Sequence, residues 1–288
     1  MTEAEPVGGL DTVIITGLSG AGRSTAAKCF EDLGFFVVDN LPPELIGTLV
    51  ELGSRSQDAV TRLAVVMDVR SRAFSKDLRG VIRELADRRM RPRVLFLEAR
   101  DDVLVRRFEN VRREHPMQGE GRLVDGIAAE RALLAPLREQ GFAFDTSDLS
   151  AAALRGWIKD FIAVDPSKLT LLFESFGFKH GVPLDADLVF DARCLPNPHY
   201  EQELAPLTGK EDAVIDFLVK HPEVERMYGD IYHFVASWLP DYARDNRNYL
   251  TVAIGCTGGR HRSVYLVERL AKVFGQRYQV LVRHRELE

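Results

Sequence analysis

Five short apolar runs punctuate the first half of this chain, and each closes on a glycine or an acidic residue before a polar or helical stretch begins. Val13-Ile14-Ile15-Thr16 ends at Gly17, Phe35-Phe36-Val37-Val38 at Asp39-Asn40, residues 63–67 at Asp68, residues 94–97 at Glu98, and the weaker Phe142-Ala143-Phe144 at Asp145. Runs of this length, rich in β-branched and aromatic residues, read as buried strands. A helical pattern covers residues 24–32, and another helix follows the Pro42-Pro43 pair, since proline suits a first helical turn. Strand and helix in alternation predict an α/β fold with a parallel sheet and crossovers on both faces.

With 288 residues the chain has room for two domains, at about 150 residues each. The second half repeats the mixed pattern with longer loops. Strand-like runs lie at 169–173, 187–190, 250–254 and 278–282, and helical patterns at 211–220, 224–238 and 263–274. Pro166 disfavours helix at Asp165, and a new apolar run starts at Leu169. The expected division is therefore 10–165 and 166–288.

Charge excludes one class of partner. Lys and Arg total 38 against 43 Asp and Glu, a net charge of −5, so the chain is not a globally basic nucleic-acid binder, although a local basic patch is compatible with this balance. No apolar run approaches the roughly 18 residues of a membrane span, and the acidic N-terminus has no apolar core of a signal peptide. Cys29, Cys194 and Cys256 form neither a disulfide framework nor a CxxC pair. The expected address is the cytoplasm.

Gly17-Leu18-Ser19-Gly20-Ala21-Gly22-Arg23-Ser24 has the G-x-x-x-x-G-[K/R]-S spacing of a phosphate loop, and it follows a strand and opens a helix as such a loop must. Glycines let backbone N–H groups curl around phosphate oxygens, and the helix N-terminus adds partial positive charge. Ser24 is the expected Mg²⁺ ligand and Arg23 the residue that reaches the β- and γ-phosphates. Arg23 stands where lysine is usual, which replaces a compact ammonium by a planar fork. Asp68, at the end of an apolar run, is the expected second magnesium anchor, with Asp39 its competitor. Arg106, Arg107, Arg112 and Arg113, just before His115-Pro116, read either as a phosphate-clamping lid or as a solvated basic face.

A second Gly-rich loop follows Val252-Ala253-Ile254: Gly255-Cys256-Thr257-Gly258-Gly259-Arg260-His261-Arg262-Ser263, and then another helix. Its glycines, arginines and helix N-terminus form an anion cradle. The Cys256-x5-Arg262-Ser263 spacing fits a cysteine-dependent phosphatase, although Gly255 stands where those enzymes carry histidine. It fits equally a binding site for a sugar phosphate with Cys256 lining the pocket. The loops 175–181, carrying Lys179 and His180, and 194–200, carrying His199, are further candidates. Neither has metal-ligand spacing.

The motifs 17–24, Val38-Asp39-Asn40-Leu41-Pro42, Asp68-Val69-Arg70-Ser71, 175–181, 195–199 and 255–263, in this order, resemble the RapZ-like nucleotide-binding proteins, also called RNase adapter proteins. The resemblance runs from Thr12 to about Arg283. It implies an N-terminal domain similar to small P-loop kinases that binds Mg·ATP and Mg·GTP and has weak ATPase or GTPase activity. By the same resemblance ATP lies at 17–24 and GTP at Asp68, Val69, Arg70 and Ser71. The loop pattern itself sets Arg23 and Asp68 as the residues of any hydrolysis and Ser24 and Asp68 on the metal. It implies a C-terminal domain that binds an amino-sugar phosphate, glucosamine 6-phosphate, through His199, Cys256, Thr257, Gly258 and Arg262, and that mediates homo-oligomerisation. Some members present small regulatory RNA to an endoribonuclease through a basic tail. Here the tail is Arg283-His284-Arg285-Glu286-Leu287-Glu288, a poor phosphate rail because affinity grows with the phosphates neutralised.

Overall fold

In a computed structural model that describes residues 11–42, 45–55, 60–67, 80, 92–111, 113–165, 168–244 and 247–287, the buried run Val13-Ile14-Ile15 lies on β1 (Asp11–Gly17), the middle strand of a five-stranded sheet. Its neighbours are β3 (Arg62–Val66) and β4 (Arg93–Glu98), with β2 (Phe36–Asp39) and β5 (Phe142–Asp145) at the edges. All four pairings are parallel, with Ile15 opposite Val66 and Gly17 opposite Leu97. A strand covered on both faces must be apolar throughout, which is why β1, β3 and β4 read as continuous runs. The edge strand β2 is half exposed.

Helices α1 (Arg23–Asp32), α2 (Ile46–Arg55), α3 (Asp101–Val111), α4 (Leu123–Arg138) and α5 (Ala151–Ala163) are among the described elements of this part. The chain separates into two compact units, Met1–Ile162 and Ala163–Glu288. In the second unit β6 (Thr170–Gly177) pairs in parallel with β8 (Tyr249–Cys256) and β9 (Gln279–His284), and β7 (Leu188–Asp191) lies at one edge beside β8. Strand β6 runs to Gly177, so Ser175-Phe176-Gly177, expected to be loop, is the buried end of a strand. Helices α6 (Asp212–Val219), α7 (Pro222–Arg244) and α8 (Arg262–Phe274) follow in chain order. Their apolar faces, including Val214, Ile231, Val235, Leu266 and Leu270, pack with Phe173, Val252 and Ile254 into one core. Each such side chain contributes about 1.5–3 kcal/mol on burial. Among the described residues no helix is long and apolar enough to cross a membrane.

Candidate functional site

Both Gly-rich motifs join the C-terminal end of an inner strand to the N-terminus of a helix, where parallel sheets open their crevices. In the first, Gly17, Gly20 and Gly22 have φ of +134°, +84° and +103°, conformations that favour glycine. At Gly17 a side chain would also run into the Leu97 backbone. The loop is pinned from several sides. Leu18 N–H donates to Leu97 O at 2.9 Å and Ala21 N–H to Leu18 O at 3.0 Å. Ser19 gives its N–H and its hydroxyl to the two oxygens of Glu130, each at 2.8 Å. Thr146 Oγ1 donates to Ala21 O at 2.9 Å.

A cavity of about 590 Å³ opens against this loop, lined by Gly20, Gly22, Arg23, Ser24, Thr25 and Arg107 and walled by 113, 114 and 116. Arg23 donates to Met67 O at 2.8 Å and to Ser19 Oγ at 3.4 Å. Its fork thus bridges the loop to the end of β3. The four arginines read as a lid or a solvated face divide by position. Arg106 pairs with Asp102 at 3.0 Å on the surface. Arg107 donates to Gly20 O at 3.0 Å and Thr146 O at 2.7 Å, and burial pulls its basicity down. Arg113 is exposed at the cavity wall, and Arg112 lies outside the described residues. So do Asp68, Val69, Arg70 and Ser71. Strand β3, which leads to Asp68, lies beside β1, with Met67 N–H donating to Ile15 O at 2.8 Å, whereas β2 and its Asp39 lie one strand farther out.

In the second motif Cys256 is 2% exposed, with Sγ 3.2 Å from Ser263 Oγ. Burial raises the thiol's titration, but hydrogen bonds from Ser263 and from the backbone at His261, with the charge of Arg262, outweigh it and hold the thiol below its ordinary range. Arg262 is buried and donates to Arg193 O at 2.9 Å, Leu195 O at 2.8 Å and Thr257 Oγ1 at 3.2 Å, while its Nε has no hydrogen-bond partner. Thr257 is exposed and Gly258 half-buried. His199, on a short 3-10 turn, is exposed, with its ring 6.3 Å from that of His261. Of the five residues expected at this site, four share the loop and its helix start, and His199 stands on a separate turn near His261. Gly255 has a packing reason. A Cβ there would meet Phe176 Cζ at 2.5 Å and Phe178 Cε2 closer still, so the histidine of cysteine phosphatases has no room.

The tail arginines are not a surface rail. Arg283 and Arg285 are buried, and Arg283 pairs with Glu174 at 3.3 Å and Asp185 at 3.5 Å. Glu130, His115 and Thr146, which hold the first loop, escape motif reading because a buried glutamate on a helix looks like a surface one. Among the described residues no group of three or more His, Cys, Asp or Glu is set to hold a metal ion.

Residues 10–166 match the RapZ-like N-terminal domain and residues 169–288 the RapZ C-terminal domain. The chain is 52% identical to a protein of Aromatoleum aromaticum named nucleotide-binding protein, over 96% of this chain and 94% of that one. It is also 52% identical to a nucleotide-binding protein of Saccharopolyspora erythraea, over 97% of each. Among solved structures, shikimate kinase from Bacteroides thetaiotaomicron is similar at 18% identity and a TM-score of 0.38, covering 54% of this chain and 99% of that one. Two Gly-rich loops on two parallel sheets, in a chain matched over 10–166 and 169–288 by both domain families, place this chain in the RapZ-like family.

Proposed function

We propose that the chain is a regulatory protein that binds ATP and GTP through its N-terminal unit, hydrolyses them slowly at most, and senses an amino-sugar phosphate such as glucosamine 6-phosphate through its C-terminal unit. The observation that carries the first part is the 590 Å³ cavity against loop 17–24, lined by glycine backbone, Ser24, Arg23 and Arg107. The first turn of α1 leaves its N–H groups without helical acceptors, a ready anion site. Magnesium fits this donor set: the ion keeps waters and takes few protein ligands beside phosphate oxygens, and Ser24 would hold it together with Asp68, which follows β3 in the sequence. Bound there, the ion would neutralise charge on the phosphates. Arg23 and Arg107 orient the loop beneath them. Titration calorimetry with Mg·ATP and Mg·GTP tests this part. Binding that survives Gly22→Val in a folded protein refutes it.

The second part rests on Arg262, whose buried Nε lacks a partner beside a helix N-terminus. A phosphate oxygen is the acceptor such a donor requires. Calorimetry with glucosamine 6-phosphate tests it, and no heat of binding refutes it. A phosphatase reading also draws support from the lowered Cys256 thiol. Release of inorganic phosphate by the wild type, lost in Cys256→Ser, would favour that reading over sensing. Self-association through the C-terminal unit fits the exposed Phe234 and Trp238 of α7 and is read by sedimentation. An RNA adapter role would have to use a surface other than the buried tail arginines, and salt-dependent RNA retardation measures it.

A further inference from the structure

We propose that Glu130 and His115 are positioning residues that latch the outer wall of the N-terminal cavity to its phosphate loop, so that occupancy of the loop and order in the wall are coupled. The proposal rests on the nucleotide reading above. Glu130, on α4, accepts the Ser19 N–H on Oε2 and the Ser19 hydroxyl on Oε1. His115 Nε2 lies 3.0 Å from Oε2 of the same carboxylate, and both side chains are wholly buried. The proton on the ring is fixed by the backbone. Met117 N–H donates to His115 Nδ1 at 3.2 Å, so Nδ1 carries no proton and Nε2–H donates to Glu130. Three donors from two segments thus meet on one side chain.

The two segments are the two sides of the cavity. Ser19 belongs to the loop. His115 is the buried member of 113–116, whose neighbours Arg113, Glu114 and Pro116 form the wall. Its ring also packs 5.0 Å from Phe108, and Phe108 meets the loop again, lying 3.2 Å from where a Cβ on Gly20 would be. On the other side Gly126 makes room: a Cβ there would stand 3.0 Å from His115 Nδ1 and from the Gln118 backbone. An apolar residue at 130 could fill the volume, but it would leave the buried Ser19 N–H unpaired. A carboxylate accepts all three donors and fixes their direction. Any ligand that orders loop 17–24 must then order 113–116, and the coupling is reciprocal.

The test uses the full chain, Mg·ATP titration calorimetry, and amide hydrogen exchange over 113–122 with and without ATP. Glu130→Gln keeps the size but offers one acceptor oxygen, so its amide faces a donor. It is expected to weaken ATP binding roughly tenfold, within the usual range of site coupling, and to abolish the ATP-dependent protection of 113–122. His115→Ala should do the same. His115→Gln, which returns an N–H near the Nε2 position, should stay within about twofold of wild type. Wild-type affinity and protection in Glu130→Gln and His115→Ala would overturn the latch. If Glu130→Gln fails to fold, the His115 pair decides, and equal loss in His115→Gln and His115→Ala overturns it. A wild type that binds no ATP refutes the nucleotide reading itself, whereas normal binding with unaffected variants refutes the latch alone.

Discussion

Two glycines of the second loop should respond oppositely to the same added methyl group. Gly255 lies on β8 opposite Phe176 on β6. A Cβ at 255 would meet Phe176 Cζ at 2.5 Å and Cε1 at 2.9 Å, with Phe178 Cε2 nearer still. The two rings pack 4.8 Å apart, and Phe176 is fully buried, so neither can swing clear without disturbing the other. Overpacking of this kind costs about 1–3 kcal/mol. For a unit of this size that lowers the melting temperature by about 3–10 °C. At Gly258 the nearest atom to an added Cβ is Lys179 Nζ at 4.0 Å, so Gly258→Ala should hold stability within about 0.5 kcal/mol. On the proposed sugar-phosphate reading, a methyl there would block close approach of a phosphate to the backbone. The expected pair is a destabilised Gly255→Ala and a stable Gly258→Ala with weakened glucosamine 6-phosphate binding. Thermal melts followed by circular dichroism and calorimetric titration read both. Gly255→Ala melting with the wild type, or Gly258→Ala falling with Gly255→Ala, would refute the reasoning.

Arg262→Ala should cost stability as well as ligand, by about 1–3 kcal/mol, because it strips the buried donors from Arg193 O and Leu195 O; an unchanged urea midpoint would sink this. Arg107→Lys keeps the charge but not the fork that spans Gly20 O and Thr146 O, and should cost about 1 kcal/mol of ATP affinity. Equal affinities by calorimetry would count against it. Burial holds the His261 imidazole below its ordinary range, so the folded chain takes up that proton less readily than the unfolded one. Its contribution is present above about pH 6.5 and is lost as pH falls below that toward the folded value. Urea midpoints between about pH 7.5 and 5.5 should therefore fall, and His261→Gln should flatten the slope; an identical slope in the variant would exclude His261 as the source.

The strands and the two loops were legible in the sequence because their signals are local. Continuous apolar runs mark strands covered on both faces, and β1, β3 and β4 lie where those runs are. Gly20, Gly22 and Gly17 sit at positive φ, a backbone requirement that residue type alone announces. The same locality explains the helix that starts at Arg262 after the second loop. Helix α4 is harder to read, with Pro136 in its last turn and Gly126 near its start. It is also the helix that brings Glu130 to Ser19 across 111 positions of chain.

What a side chain does once the elements pack is a different kind of information. Arg107 belongs to a basic helix by sequence and holds the phosphate loop by its bonds to Gly20 and Thr146. The tail arginines at 283 and 285 have the composition of a surface and the burial of a core, because β9 sets Arg283 opposite Glu174 on β6 and the turn just past the strand brings Arg285 to the same carboxylate. Gly255 is silent in the sequence about Phe176 and Phe178. The sequence by itself determined the α/β class, the two Gly-rich strand-to-helix loops and the family, since each depends on spacing within a few residues. The tertiary structure alone decided which cations are committed to backbone, which carboxylate holds the loop, and where histidine cannot stand, since those depend on contacts between residues far apart in the chain.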